Sequence, residues 1–195
     1  MATAPARSRR LDPFELYGEP ALVVVAAITV VVAIAVNMRP ASSNAADFYV
    51  FWDSARWLLE GRDIYLAHPL RPSAGDNLNP PAVTLLFVPF AWLPLVPSFL
   101  GWTVLAVVGF LLAGRLVANA LLPGRGVLIA SLILCSQATF AALQLGQLSW
   151  LLTLAVTLAW RADRADARWR AGLLLGCLMA AKPFLGVFGV YALWR

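Results

Sequence analysis

The chain has 195 residues, 61% of them hydrophobic and 13% charged, with a net charge of +5 and a mean hydropathy of +0.77. That charged share is about half of what globular chains carry, and a soluble core of this size has no room for so much apolar surface. Disorder requires the opposite composition, so the sequence reads as an integral membrane protein.

The basic balance comes from fourteen arginines and one lysine against ten acids. Nucleic-acid binding needs a basic patch on a soluble face. Here the arginines sit between apolar runs, where they set topology, and no nucleic-acid partner is expected. Cys135 and Cys177 lie inside apolar segments and read as small hydrophobes. With one histidine, His68, and no Cys-x-x-Cys, neither a disulfide framework nor a metal site is expected.

In chain order, residues 1–19 form a polar, cytoplasmic N-tail carrying Arg7, Arg9 and Arg10. Residues 21–36 then run without a charge, and a span over 20–38 reaches the roughly 20 residues that cross a bilayer core. A signal peptide cut near Ala45 is the competing reading. The length of the run, and Asp12, Glu15 and Glu19 ahead of it, favour an uncleaved anchor. A loop over 39–97 follows and holds five of the ten acids. Further spans are predicted at 98–114, 126–143, 147–160 and 171–194. Five crossings place the N-tail and the stretches 115–125 and 161–170 on one side, with nine arginines among them. The positive-inside bias makes that side cytoplasmic and the 39–97 loop extracytoplasmic. An end at Arg195 directly after an apolar run reads as the N-terminal half of something larger.

The outer loop begins with an amphipathic helix over 45–60. Phe48, Phe51, Trp52, Ala55 and Leu59 recur at helical spacing, while Asp53, Arg56 and Glu60 fall opposite at ion-pairing steps. Gly61 stops the helix. Such a helix is expected in the interface plane with its aromatic side to the lipid. Asp53 then reads as a solvated ion-pair member, and Asp63 and Asp76 as loop residues. Asp47 differs. It lies in the first turn at the edge of the apolar face with no basic residue three or four positions on. A helix-start role is the plain reading; a functional carboxylate is the other. Beyond Asn79-Pro80-Pro81, Pro89, Pro94 and Pro97 oppose a straight helix. A short helix dipping into or folding along the interface is expected, so that two interfacial helices form a floor beside the bundle.

Two later features bear on chemistry. Gln144-Leu-Gly-Gln147 lies between two spans at the outer end, either as a plain tight turn on Gly146 or as amides on the same side as Asp47. Lys182 is the chain's single lysine and interrupts the run 171–194 about twelve residues from either end. A cation at that depth faces the bundle interior or water and takes a partner; snorkelling to a surface, with a proline kink altering the depth, is the plain alternative.

The blocks Asp47-Phe-Tyr-Val-Phe-Trp-Asp-Ser-Ala55, Leu59-Glu-Gly-Arg-Asp-Ile-Tyr65 and Asn79-Pro-Pro81 come in a recognisable order. Leu145-Gly-Gln147 and Ala171-Gly-Leu-Leu-Leu-Gly176 leading to Lys182-Pro183 continue it. Together they resemble glycosyltransferase family 87, over about residues 20–195. The family's middle motif is often of a Tyr-Pro-Pro type, from which Asn79 departs. The resemblance implies an all-α integral membrane fold, a multi-span GT-C-like bundle with interfacial helices in a long first extracytoplasmic loop. It further implies an inverting hexosyl or mannosyl transfer, at the cytoplasmic membrane's outer side, from a polyprenyl-phosphate sugar to a lipid or glycan hydroxyl. On that resemblance Asp47 is the general base and Asp53 a secondary acidic candidate. Lys182 is the candidate for the donor phosphate and Gln147 for donor sugar or phosphate. No cofactor besides the lipid-linked donor is expected. The competing readings are a non-enzymatic membrane protein, such as a transporter fragment or assembly subunit, and an inactive, incomplete transferase.

Overall fold

A computed structural model describes residues 18–37, 46–65, 77–187 and 189–190. The arginines of the N-tail, Ala45 and Asp76 lie outside the described residues. Within them the chain is helical: α1 (Glu19–Asn37), α2 (Ala46–Leu59), α3 (Pro81–Leu85), α4 (Val88–Ala91), α5 (Leu95–Leu121), α6 (Gly126–Leu134), α7 (Gln137–Leu145), α8 (Ser149–Arg164) and α9 (Arg168–Ala181), then a 3-10 turn (Pro183–Leu185). The protein is an all-α membrane protein.

Among the described residues two helices are long and apolar enough to cross a membrane, α1 through Glu19–Val36 and α5 over all 27 of its residues. At 1.5 Å per residue α5 measures about 40 Å, more than the hydrocarbon core requires. The outward side of α1, with Val24, Ile28 and Val31, is exposed among the described residues, as suits a face turned to lipid. Its other side lies on α6 and α7, with Ala26 and Ala33 buried. α5 is the central post, packed on α6 along one side and α8 along another. Close approach there depends on small residues, as expected where lipid and protein are equally apolar. A Cβ on Gly109 would stand 2.4 Å from the Trp150 ring of α8.

The apolar stretch 126–143 is not one straight helix. α6 and α7 meet at a 60° bend and together make a third candidate span. Ser136 causes the break. Its backbone is extended, and its hydroxyl accepts the Thr139 N–H at 3.1 Å, so it caps a new helix inside the apolar run. α8 and α9 have 16 and 14 residues and fall short of the length that spans by itself. The expected span 171–194 is interrupted as well: α9 ends at Ala181, and Lys182 is extended at φ −141°, ψ 95°. Pro183 is the reason, because its ring crowds the preceding residue out of helical geometry. Lys182 therefore caps a helix rather than sitting midway along one.

The bundle has two distinct ends. At one, Glu19 at the start of α1 pairs with Arg125 at 3.0 Å, and a groove of about 220 Å³ lies between Asn119–Ala120 and Arg161, Arg164 and Ala165. The α5–α6 and α8–α9 connections thus share one end with the start of α1. At the other end α2 packs on α3, α4 and the start of α5.

The proline-rich segment forms two short helices, α3 and α4, rather than one. Pro81 and Pro89 stand in their first turns and Pro97 in that of α5, where no intrahelical N–H is needed. The freed carbonyls are satisfied by side chains. Trp52 Nε1 donates to Phe90 O at 3.1 Å and Leu93 O at 3.2 Å, and Ser98 Oγ donates to Phe90 O at 2.7 Å. Irregular backbone at the edge of a membrane demands such partners.

α2 departs from expectation in its surroundings. Phe48, Phe51, Trp52 and Ala55 are buried against α3, α4 and α5, so the aromatic side faces protein rather than lipid. Leu59, expected on that buried face, is half exposed. Asp53, expected to be solvated, is 7% exposed and engaged in contacts of its own. Arg56 turns instead onto the Trp52 ring, 4.9 Å from its centre. Gly61 adopts φ +68° and closes the helix, with Arg62 N–H bonded to Trp57 O at 2.8 Å.

Candidate active site

An aromatic cluster organises this end. Phe48, Phe51 and Trp52 from α2 meet Phe87, Phe99 and Trp102 from α3 to α5, with Phe90 and Trp150 at its edge. Phe48 lies edge-on to Phe99 at 5.4 Å and to Phe87 at 5.9 Å, and Phe51 stacks on Phe87 at 4.6 Å. Each such pair contributes about 0.5–1.5 kcal/mol beyond its buried area. The cluster is a rigid base on which polar groups are hung.

All four candidate residues are chain neighbours of this cluster, Asp53 by following Trp52. Asp47 precedes Phe48, Gln147 precedes Leu148, and Lys182 follows Ala181; Phe48 and Leu148 belong to it, and Ala181 packs against it. Asp47 stands in the first turn of α2, half-buried, and among the described residues no hydrogen bond or ion pair engages its carboxylate. Gly146 brings Gln147 to α2. Gly146 has φ +68° and caps α7, and a Cβ there would lie 2.4 Å from Phe48 Cβ. Only glycine meets both demands, and the result is that Gln147 joins the chain beside the start of α2. Its Oε1 accepts from Ser149 Oγ at 3.1 Å, which leaves the amide N–H groups without a partner among the described residues. Asp53 is turned away from Asp47: six residues further along α2, it points in a direction about 120° different.

Lys182 reaches its partner 103 positions back along the chain: Nζ donates to Asn79 Oδ1 at 2.9 Å. Asn79 is itself held by Asn77, whose Oδ1 accepts from Asn79 N at 3.0 Å and from Asn79 Nδ2 at 3.3 Å. Asn77 Nδ2 then donates to Thr84 Oγ1 at 3.3 Å, with both residues buried. Sequence reasoning weighed Asn79 only as a departure from a motif and missed Asn77 and Thr84. The usable signal was Asn-x-Asn ahead of a proline, a pattern in which the first side chain bonds the backbone two residues on.

Chemically, this end offers a carboxylate able to accept a proton, an amide able to donate and an ammonium facing a neutral partner. Comparison with curated proteins and with solved structures gave no match. The family model for glycosyltransferase family 87 matches residues 77–195. It begins at Asn77 and takes in Asn79, Gln147 and Lys182, while Asp47 and Asp53 lie ahead of it. With more than half of its residues matched, the chain belongs to glycosyltransferase family 87.

Proposed function

We propose that this glycosyltransferase moves a hexosyl unit, mannose being the first choice, from a polyprenyl-phosphate donor to a lipid or glycan hydroxyl with inversion. The observation that carries the reading is the Lys182 ammonium, held at the edge of the aromatic cluster by the Asn79 carbonyl with no carboxylate paired to it among the described residues. A half-buried cation kept in that way suits an anionic ligand. The apolar surroundings suit a ligand with a long hydrocarbon tail.

In the proposed reaction the acceptor oxygen forms a bond to the anomeric carbon as the bond from that carbon to the phosphate oxygen breaks. The acceptor proton passes to Asp47, and the bonding electrons leave with the polyprenyl phosphate, which gains a negative charge. A carboxylate within hydrogen-bond reach of the acceptor is worth about 10²–10⁴-fold in rate. Lys182 meets the charge that develops on the leaving phosphate, and Gln147 donates to sugar or phosphate. The Asp47 carboxylate and the Gln147 amide N–H groups, without hydrogen-bond partners among the described residues, are consistent with these roles. The reaction is assigned to the extracytoplasmic face of the cytoplasmic membrane, because the arginine-rich end is the one the positive-inside bias keeps in the cytoplasm.

The test is a membrane assay with labelled polyprenyl-phosphate mannose and other polyprenyl-phosphate hexoses. Transfer that depends on the protein and stops in Asp47→Asn is the expected result. Turnover by that variant at the normal rate removes Asp47 as base, and transfer from nucleotide sugars alone overturns the donor class.

A further inference from the structure

We propose that Asn79 is a positioning residue for Lys182, a neutral clamp that fixes the ammonium while leaving its charge for the phosphate of the lipid-linked donor. The inference rests on the proposed function for the identity of the anion but not for the clamp itself.

Three observations carry it. First, the chain of bonds has one direction. Lys182 donates to Asn79, Asn79 donates to Asn77, and Asn77 donates to Thr84. Turning the Asn79 amide over would set its NH₂ against the ammonium and lose the bond to Asn77, so the carbonyl has one place to point. Second, both partners stand immediately before a proline, Asn79 before Pro80 and Lys182 before Pro183. Each proline confines the preceding backbone to extended geometry, so both ends of the clamp are stiff. Third, the inner end is anchored in the core. Asn77 and Thr84 are 1% and 0% exposed, and Thr84 belongs to α3, which packs on α2.

The choice of an amide follows from charge. A carboxylate at position 79 would hold the ammonium and cancel it, and a phosphate would then meet a neutral pair. An apolar residue would leave the ammonium free to turn toward water. An amide holds without cancelling, and it engages one N–H of the three. The other two remain for an anion.

The test uses the fact that Lys182 is the chain's single lysine. The protein, labelled with lysine carrying ¹⁵N at Nζ and embedded in nanodiscs, gives one side-chain ammonium signal. Farnesyl monophosphate is the binding probe. In the wild type the ammonium protons are expected to exchange slowly, and in Asn79→Ala at least tenfold faster. Binding of farnesyl phosphate is expected to weaken about tenfold in Asn79→Ala and in Lys182→Met, and no further in the double variant, because one residue acts through the other. Asn79→Asp separates positioning from scaffolding: slow exchange is retained while phosphate binding falls at least tenfold. Additive losses in the double variant, or equal exchange rates in the wild type and Asn79→Ala, overturn the clamp. Failure of the wild type to bind farnesyl phosphate, with exchange still slowed by Asn79, overturns the donor class and leaves the clamp standing.

Discussion

The two ends of α5 differ in the company they give one cation. Around its C-terminal end the arginines other than half-buried Arg125 are exposed and held by surface means. Arg168 pairs with Asp166 at 3.0 Å, with both side chains more than four-fifths exposed. Arg164 and Arg170 lie over the rings of Trp160 and Trp169. Around its N-terminal end Arg56 and Arg62 are likewise exposed and lie over the rings of Trp52 and Trp57, but Lys182 is half-buried and bonded to a neutral amide. Exposed pairs in water are worth little, whatever their number. A single cation withdrawn from water and not neutralised keeps its attraction for an incoming anion. If the proposed function holds, charge number alone marks the wrong end of this molecule for chemistry.

Substitutions that break this contrast should differ sharply in effect. The largest loss is expected from Asp47→Asn, which should lower transfer by at least 10²-fold while membrane insertion, followed by immunoblot of washed membranes, stays unchanged. Gly146→Val comes next. It forces a β-branched residue into the left-handed region and against Phe48, and should cost about 2–5 kcal/mol, read as a lower melting temperature in detergent. Lys182→Met should raise the donor KM about tenfold with normal insertion, and an unaltered dependence on donor concentration would refute the phosphate role. Trp52→Phe removes the donor to Phe90 O and Leu93 O. Ser98 still serves both carbonyls, so the expected cost is about 1–2 kcal/mol of thermal stability. The smallest effect belongs to the arginine end: Arg168→Gln should leave melting temperature and transfer unchanged within error.

What the sequence discloses follows the physics of each signal. α1 and α5 were legible because a long uncharged run has few alternatives. The Ser136 break was not, since one hydroxyl in an apolar run reads equally well as a residue bonded to its own helix. The amphipathic pattern of α2 was legible, but what it faces was not. Lipid and protein core are equally apolar, and periodicity cannot tell Phe48 against Phe99 from Phe48 against an acyl chain. Asp53 misled because Arg56 stands three residues on, the spacing of an ion pair, yet the guanidinium went to Trp52. Lys182 was legible as a cation needing a partner. Asn79 as that partner was not, because pairing across 103 positions leaves no local trace.

The burial of α2 has a consequence for traffic. A helix enclosed on its aromatic side by three others is masonry, not a door: swinging it outward would strip Phe48, Phe51 and Trp52 of their neighbours together. The carboxylate mounted on its first turn is thereby a stationary landmark. In the proposed reaction, the reactants therefore travel to Asp47 rather than Asp47 to them.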